Sequence, residues 1–363
     1  MPDHARRRRS LLSNLEENVF VAYNLENHDT ATLRYLTGFT GEGLLLIHTD
    51  ETILLTDSRY TEQAQGETDG IRIEETRMWP GKGAAEALDR VGVSPVAFAS
   101  TRVTARWLET MRDACDVELI ARKDPVASVR IVKEASEVAS LKRAAVIAEE
   151  ALGRLVDEIR VGISEKEIAL RLEWLIRETD GAEQIAFESN VSSGPNTSLN
   201  HYSPFRHPRT LQTGDLLLFD FGACVDGYRS DITRTFSVGT ATPEAKEIYD
   251  LVLRANLAAI ERVKAGMSGV ETDAIARELI VDGGHGDHFG HGLGHGIGLE
   301  VHEGPGLSPR SEDTLEPGMV VTVEPGVYLP GRGGVRIEDD VVITADGCEV
   351  ITSFPKDRLI EVG

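Results

Sequence analysis

The period of the apolar positions changes several times along the chain, and each change predicts an element. In residues 1–120, short apolar runs at Val19–Ala22, Leu44–His48, Ile53–Thr56, Ile71–Glu75 and Val96–Ala99 predict strands. Ser58–Gln65, Gly83–Val91 and Thr104–Cys115 predict helices between them. Alternating strands and helices describe an α/β layer domain with a mostly buried sheet. This region carries no Gly-rich phosphate loop and no cluster of histidines or acids, so its expected role is to cover something. Ahead of it, Arg6–Arg9 followed by Leu11, Leu12 and Leu15 predicts the first turns of a surface helix.

Ala121–Ile131 contains Asp124-Pro125 and reads as a junction, which gives a first domain over 1–122, a linker over 123–132 and a second domain over 133–363. Beyond it, helical spacing runs through Glu134–Ile159, with Ser136 and Ser140 expected on its surface. Ser164–Glu178 repeats the spacing, and Ser164 with Glu167 forms a capping box. Two more helices are expected at Pro243–Lys264 and Ser268–Val281. Each helix pair is followed by a strand pair, Asp215–Phe236 and then Met319–Tyr328 with Gly334–Thr344. The order helices, hairpin, helices, hairpin suggests two related halves facing one another, an α+β arrangement.

The first hairpin puts Leu216, Leu218 and Asp220 on one face by the period-two rule, and Asp226-Gly227 is a strong turn signal. A tight loop there places Asp220 diagonal to Asp231; a loop one residue earlier makes them direct neighbours. In either register two carboxylates share a face, and buried carboxylates need a partner. The second hairpin carries Glu324, before Pro325, and Glu338. Between the hairpins, His291 and His295 have the HxxxH spacing of a helical zinc pair, but the surrounding glycines argue against a helix. The GxGxG there lacks the preceding strand of a dinucleotide loop. His4, His28, His48, His207, His285 and His288 are expected to be ordinary surface or core residues. Asp226 belongs to the turn, and Asp339 points away from the face used by Glu338.

Composition changes this picture in one respect. Acids outnumber bases 60 to 38, giving a net charge of −22, and only eight of the basic residues are lysine. That balance excludes general binding to phosphate backbones and suits a protein of a high-salt cytoplasm, where screening relieves self-repulsion. Three widely spaced cysteines, Cys115, Cys224 and Cys348, form no disulfide framework, in keeping with a reducing compartment. No apolar run reaches membrane-spanning length, and the first residues lack the apolar core of a secretory signal.

Taken together, DFGACVDGYRSDITRTF, HGLGHGIGLEVHE, TVEPGVY and RIEDD resemble the pita-bread metallopeptidases, closest to the Xaa-Pro aminopeptidases and Xaa-Pro dipeptidases (prolidases). The resemblance covers nearly the whole chain: a creatinase-like α/β N-terminal domain, then an α+β pita-bread catalytic domain. It implies five metal ligands, Asp220, Asp231, His295, Glu324 and Glu338, holding two divalent ions. Manganese is favoured by the oxygen-rich set, with cobalt, iron or zinc as alternatives. Asp231 and Glu338 would bridge both ions. Two ions about 3.5–4 Å apart can hold a bridging water as hydroxide and polarise the scissile carbonyl. Glu324 would serve as general base. His291 and His302 would stabilise the tetrahedral intermediate or contact the prolyl side, and His201 would meet substrate from the opposite wall. Arg336 and Tyr328 would brace the site. The implied partners are a small peptide with proline second and a second copy of the chain, with no nucleic acid and no membrane. Two rivals are a related hydrolase of a non-peptide amide or compatible solute, and a binding protein on the same fold.

Overall fold

The computed structural model describes residues 2–77, 81–91 and 94–363, which fall into two compact units, Met1–Arg130 and Ile131–Gly363. In the first, six strands form one mixed sheet in the order Arg72–Glu75, Thr52–Thr56, Gly43–His48, Val19–Asn24, Val96–Ala99, Leu119–Arg122. Its central strand, Val19–Asn24, is buried along its whole length, which is why it reads as a continuous apolar run rather than an alternating one.

Two expectations are corrected here. The Arg6–Arg9 run lies in helix His4–Ser13, but Arg7 and Arg8 are buried. Their guanidinium groups donate to the carbonyls of Tyr35 (3.2 Å) and Leu36 (2.8 Å). These are carbonyls of the last turn of helix Thr30–Thr37, which lack a partner within their own helix. The segment 123–132 is also not a plain linker: Pro125–Arg130 is helical and belongs to the first unit. Asp124 caps it, accepting from the Ala127 N–H at 2.9 Å.

The second unit is built twice from one plan. Helices Ala135–Val156 and Glu165–Glu178 precede one antiparallel ladder; helices Pro243–Arg262 and Gly269–Asp282 precede another. Ser164 and Ser268 each cap a helix through a capping box, and each forms an isolated bridge, to Thr210 and Thr314 respectively. Gly214 and Gly318 both adopt positive φ, 89° and 91°. The same interval along the chain separates all these pairs, and it also separates Asp220 from Glu324. Each half has its own apolar cluster between helices and sheet, around Leu152, Leu172, Phe219 and Phe236 in one and Val252, Ile275, Val321 and Val341 in the other. Ser140, expected at the helix surface, is buried and donates to Asp226 at 2.8 Å, holding the tip of the first hairpin.

The halves are joined along strand Ile232–Val238. Glu338 N–H donates to Thr233 O at 3.1 Å, and Thr235 Oγ1 donates to Arg336 O at 2.9 Å. Arg234, one of the most deeply buried side chains, crosses to the second half. It donates to Phe354 O, Glu338 O and the Asp339 carboxylate, the last at 2.8 Å. Lys356 reaches the other oxygen of Asp339. Asp339 thus points away from Glu338, as expected.

Removing one partner of a buried ion pair leaves a charge uncompensated and costs about 3–5 kcal/mol. Lys356 stays beside Asp339 and compensates it in part, so Arg234→Met is expected to lower the unfolding free energy by up to about that much in denaturant titrations near neutral pH. Burial alone would raise the Asp339 pKa, but Arg234 and Lys356 outweigh it and hold it at about 2, against an ordinary 3.8. The stabilisation is present above 3.8 and lost as pH falls towards 2, so variant and wild type should converge over that window.

Candidate metal centre

In the first hairpin the chain settles the register through its turn. Asp226 and Gly227 both take positive φ (51° and 80°), the pattern of a two-residue hairpin loop, and Val225 pairs with Tyr228. Asp220 then pairs with Thr233, so Asp231 is its diagonal neighbour. The arms close tightly between them: a Cβ at Gly222 would lie 1.8 Å from the Ser230 carbonyl oxygen.

The second strand pair is one register with a break. Val323 pairs with Asp339 and Gly326 with Arg336, which sets Glu324 opposite Glu338 in the gap. Pro325 supplies no N–H, so the ladder opens at this point. The expected single pair of long strands is therefore four short ones: Val320–Val323 with Asp339–Ile343, and Gly326–Leu329 with Gly333–Arg336.

His295 sits on the short strand Gly294–Gly296 between Val320–Val323 and Glu303–Leu307, and the HxxxH segment is indeed not helical. The flanking glycines are required by contact: a Cβ at Gly294 or Gly296 would lie 2.0 Å from a neighbouring carbonyl oxygen. The carbonyl of Gly296 can only accept, so His295 Nδ1 carries the proton and donates to it at 3.1 Å. This leaves the Nε2 lone pair facing Glu324 Oε1 at 3.5 Å and Asp231 Oδ2 at 3.7 Å. One donor atom each from Asp231, His295 and Glu338 lies within 4.8 Å of the others.

Asp220, Asp231, Glu324, Glu338, His295, Arg336, His201, His291 and His302 all line one cavity of about 600 Å³. Tyr328 lines a neighbouring cavity of about 950 Å³, and His201, Asn200 and Glu188 line both. Arg336 Nη2 donates to Asp220 Oδ2 at 2.5 Å, its Nε to Thr233 Oγ1 at 2.9 Å and its Nη1 to Tyr328 OH at 3.0 Å. Thr233 Oγ1 in turn donates a hydrogen bond to Glu338 Oε2 at 2.6 Å. Tyr328 OH donates to His291 Nε2 at 2.8 Å, and His291 Nδ1 donates to Gly292 O at 2.8 Å. His291 lies 3.9 Å from Glu324. His302 stacks at a tilt over His295, with ring centroids 4.2 Å apart. Among the described residues, no hydrogen bond ties the ring of His201 or His302.

The electrostatics of this group are one-sided. Burial, then Glu338, Asp220, Asp340 and Glu324, push the Asp231 carboxyl well above its ordinary range. Burial and Glu338 do the same to Glu324, and burial with Asp220 raises Glu338 to about 7. Asp220 is also raised by burial, against the pull of Arg336. Burial holds both His291 and His295 at about 4, so each imidazole is neutral at pH 7, the form that binds metals. Asp231 Oδ1 is buried with no hydrogen-bond partner among the described residues. Four acids against one guanidinium, a neutral imidazole and an orphaned carboxylate oxygen form a donor set that fits divalent cations.

Several residues of the site escaped the reading of the sequence. Thr233 bridges Arg336 and Glu338; the only hint was its place opposite Asp220. Asp340 is buried and accepts the Asp231 N–H at 3.0 Å. Asp273 and Arg277 on helix Gly269–Asp282 hold the Gly-rich segment, Asp273 taking the Leu293 N–H (2.9 Å) and Arg277 donating to His291 O (2.6 Å). They also pair with each other at 2.6 Å, at the i, i+4 spacing common on helix surfaces, so the spacing by itself does not point to a site.

Comparison with known proteins bears on the whole chain. Residues 139–345 match the model of Metallopeptidase family M24, and residues 7–132 match that of the Creatinase/Prolidase N-terminal domain. The chain is 42% identical over 330 residues to the peptidase YqhT of Bacillus subtilis, spanning 90% of this chain and 93% of that one. It superimposes on a solved Xaa-Pro dipeptidase from Bacillus anthracis with a TM-score of 0.94 and 39% identity, over 99% of this chain and 100% of that one. It superimposes on X-Pro aminopeptidase from Thermotoga maritima with a TM-score of 0.92 and 38% identity, over the full length of both.

Metal binding gives the direct check. A ligand at a hundredfold excess over its dissociation constant stabilises the folded state by about 2.7 kcal/mol. Manganese added to metal-stripped protein is expected to raise the melting temperature accordingly. Asp231→Ala should remove that shift, and Asp226→Ala, at the exposed turn, should retain it.

Proposed function

The chain belongs to metallopeptidase family M24, and we propose that it is a dinuclear exopeptidase that hydrolyses the bond between an N-terminal residue and a following proline. The observation that carries this reading is the convergence of Asp220, Asp231, Glu324, Glu338 and His295 on one cavity, with His295 Nε2 aimed between Asp231 and Glu324. Asp220, Asp231, Glu324, Glu338 and His295 would hold the two cations. Two such cations supply an acidified water and a polarised scissile carbonyl.

The remaining work falls to side chains of this chain. Arg336 and Thr233 each hold one oxygen of Asp220 and Glu338 and so orient the other. Glu324 is the acceptor for the proton of the attacking water, and delivers it to the departing prolyl nitrogen. His302, with a ring free of other hydrogen bonds, faces the oxygen on which negative charge develops, and His201 meets the substrate from the opposite wall. His291 is oriented by Tyr328 and flanks the prolyl side. The reading further includes manganese as the favoured metal, a homodimer, and a cytoplasm of high salt matched to the acidic composition. Among the described residues no helix is long and apolar enough to cross a membrane.

A second reading concerns substrate length. The cavity of about 950 Å³ that shares Glu188, Asn200 and His201 with the metal-side cavity offers room for residues beyond the proline. It favours aminopeptidase action on longer peptides over strict dipeptidase action.

A panel of Xaa-Pro and Xaa-Pro-Yaa-Zaa peptides, assayed with manganese at low and high salt, tests both readings. Cleavage before proline is expected in both lengths; exclusive cleavage of dipeptides would remove the second reading. Hydrolysis of a compatible solute with no Xaa-Pro cleavage would remove the first. Glu338→Ala should abolish turnover. Thr233→Val should lower kcat/KM by about 10–100-fold, the usual range for losing a group that holds a metal ligand.

A further inference from the structure

Glu165 is the first residue of helix Glu165–Glu178, and its side chain has no exposed surface. Buried carboxylates of this kind usually meet a cation, but among the described residues Glu165 has no ion-pair partner. Hydrogen-bond donors surround it instead. Oε1 accepts from Ser193 N (2.6 Å), Ser193 Oγ (2.8 Å) and Asn196 Nδ2 (3.0 Å). Oε2 accepts from Tyr202 OH and Arg209 N, both at 2.6 Å, and from Asn196 Nδ2 at 3.2 Å. The helix N-terminus adds its own positive end to this ring of donors.

All of those donors belong to one excursion of the chain, residues 193–209, which leaves strand Asn190–Ser193 and carries His201. The segment has little regular structure beyond the short 3₁₀ turn Gly194–Ser198. Its shape therefore depends on side-chain bonds. Tyr202, next to His201, ends on Glu165 and also lies 2.8 Å from His207 O. Asn200, on the other side of His201, has its carbonyl held by Asn190 Nδ2 at 3.1 Å. Thr197 Oγ1 accepts from Gly334 N at 2.7 Å, two residues before Arg336. The excursion is thus pinned to the second half of the unit at Thr197, to Asn190 at Asn200 and to Asp215 through the Arg209 guanidinium, while Glu165 alone gathers four of its residues.

We propose that Glu165 is a positioning residue for the peptidase reaction: by gathering Ser193, Asn196, Tyr202 and Arg209 it sets where His201 stands in the wall shared by the two cavities. This rests on the reading that His201 meets the substrate. Glu165 itself lines neither cavity and touches none of the metal-side acids; among its partners Tyr202 lines the larger cavity. A side chain displaced by about 1 Å can cost on the order of a hundredfold in rate, so the fault would appear in catalysis rather than in metal binding.

The test is a double-mutant cycle on the manganese-loaded enzyme with an Xaa-Pro dipeptide. Glu165→Gln keeps the shape but turns one acceptor into a donor that faces other donors. It should lower kcat/KM at least about tenfold with bound manganese per chain unchanged. In a His201→Asn background the same change should cost less than about twofold, because the residue through which it acts is gone. Tyr202→Phe, which removes one of the donors and is milder for folding, should follow the same pattern with a smaller loss. Full, additive losses in the His201→Asn background, or wild-type kcat and KM in Glu165→Gln and Tyr202→Phe, would overturn the proposal while leaving the role of His201 intact. Wild-type activity in His201→Asn alone would overturn the reading of His201 and this proposal with it.

Discussion

Burying several like charges in one place is the constraint on which this structure turns. Asp220, Asp231, Glu324 and Glu338 lie close together and largely out of water, and both desolvation and mutual repulsion work against their ionised forms. Arg336 offsets part of this at Asp220, and Thr233 offers Glu338 one hydrogen bond. The rest calls for cations of higher charge. A protein that only needed stability would fill such a space with apolar side chains, since buried charge is weak evidence for stability. The acids make sense as a site, and the shape of the second unit can be understood as the means of holding them.

Duplication is how the chain meets that demand. A helix pair followed by a hairpin brings acids to the face of one sheet; a second copy facing the first doubles their number. Neither hairpin contains the site. Asp220 and Asp231 come from one ladder, Glu324 and Glu338 from the other, and the seam along Ile232–Val238 sets their relative position. The seam is where Arg234 is spent, pairing with Asp339 behind the site while Glu338 faces into it. Adjacent residues of one strand point to opposite faces, so RIEDD supplies a candidate ligand and a structural anchor from consecutive positions.

The loops that complete the cavity are held by the helices rather than by the sheets. Asp273 and Arg277 hold the backbone on either side of His291, and Glu165 holds the segment that carries His201. Each device sits on the second helix of its half. Regular elements support the metal-side acids and His295, while irregular segments fixed by buried carboxylates carry His201 and His291. Loops positioned by a rigid scaffold are where substrate-facing groups commonly sit.

Local rules were enough for much of this protein. Capping boxes at Ser164 and Ser268, the Asp226-Gly227 turn and the period-two faces depend on neighbours within a few residues, so composition and spacing already contain them. The same holds for the acids of the two hairpins, whose motifs resemble a known family strongly enough to name the expected ligands. What spacing could not contain was decided by contacts far apart in the chain. Arg7 and Arg8 read as solvated but serve the carbonyls of another helix, because an orphan carbonyl is a feature of the folded neighbour and not of the arginines. Thr233 and Asp340 take on their roles where the two halves meet, through hydrogen bonds that span more than a hundred residues, and Glu165 through bonds that span 28–44 residues within its own half; neither distance leaves a trace in local periodicity. Which groups are available for chemistry follows from residue types and their spacing; which of them share a cavity depends on the folded chain, because only packing brings charges close enough for desolvation and repulsion to act between them.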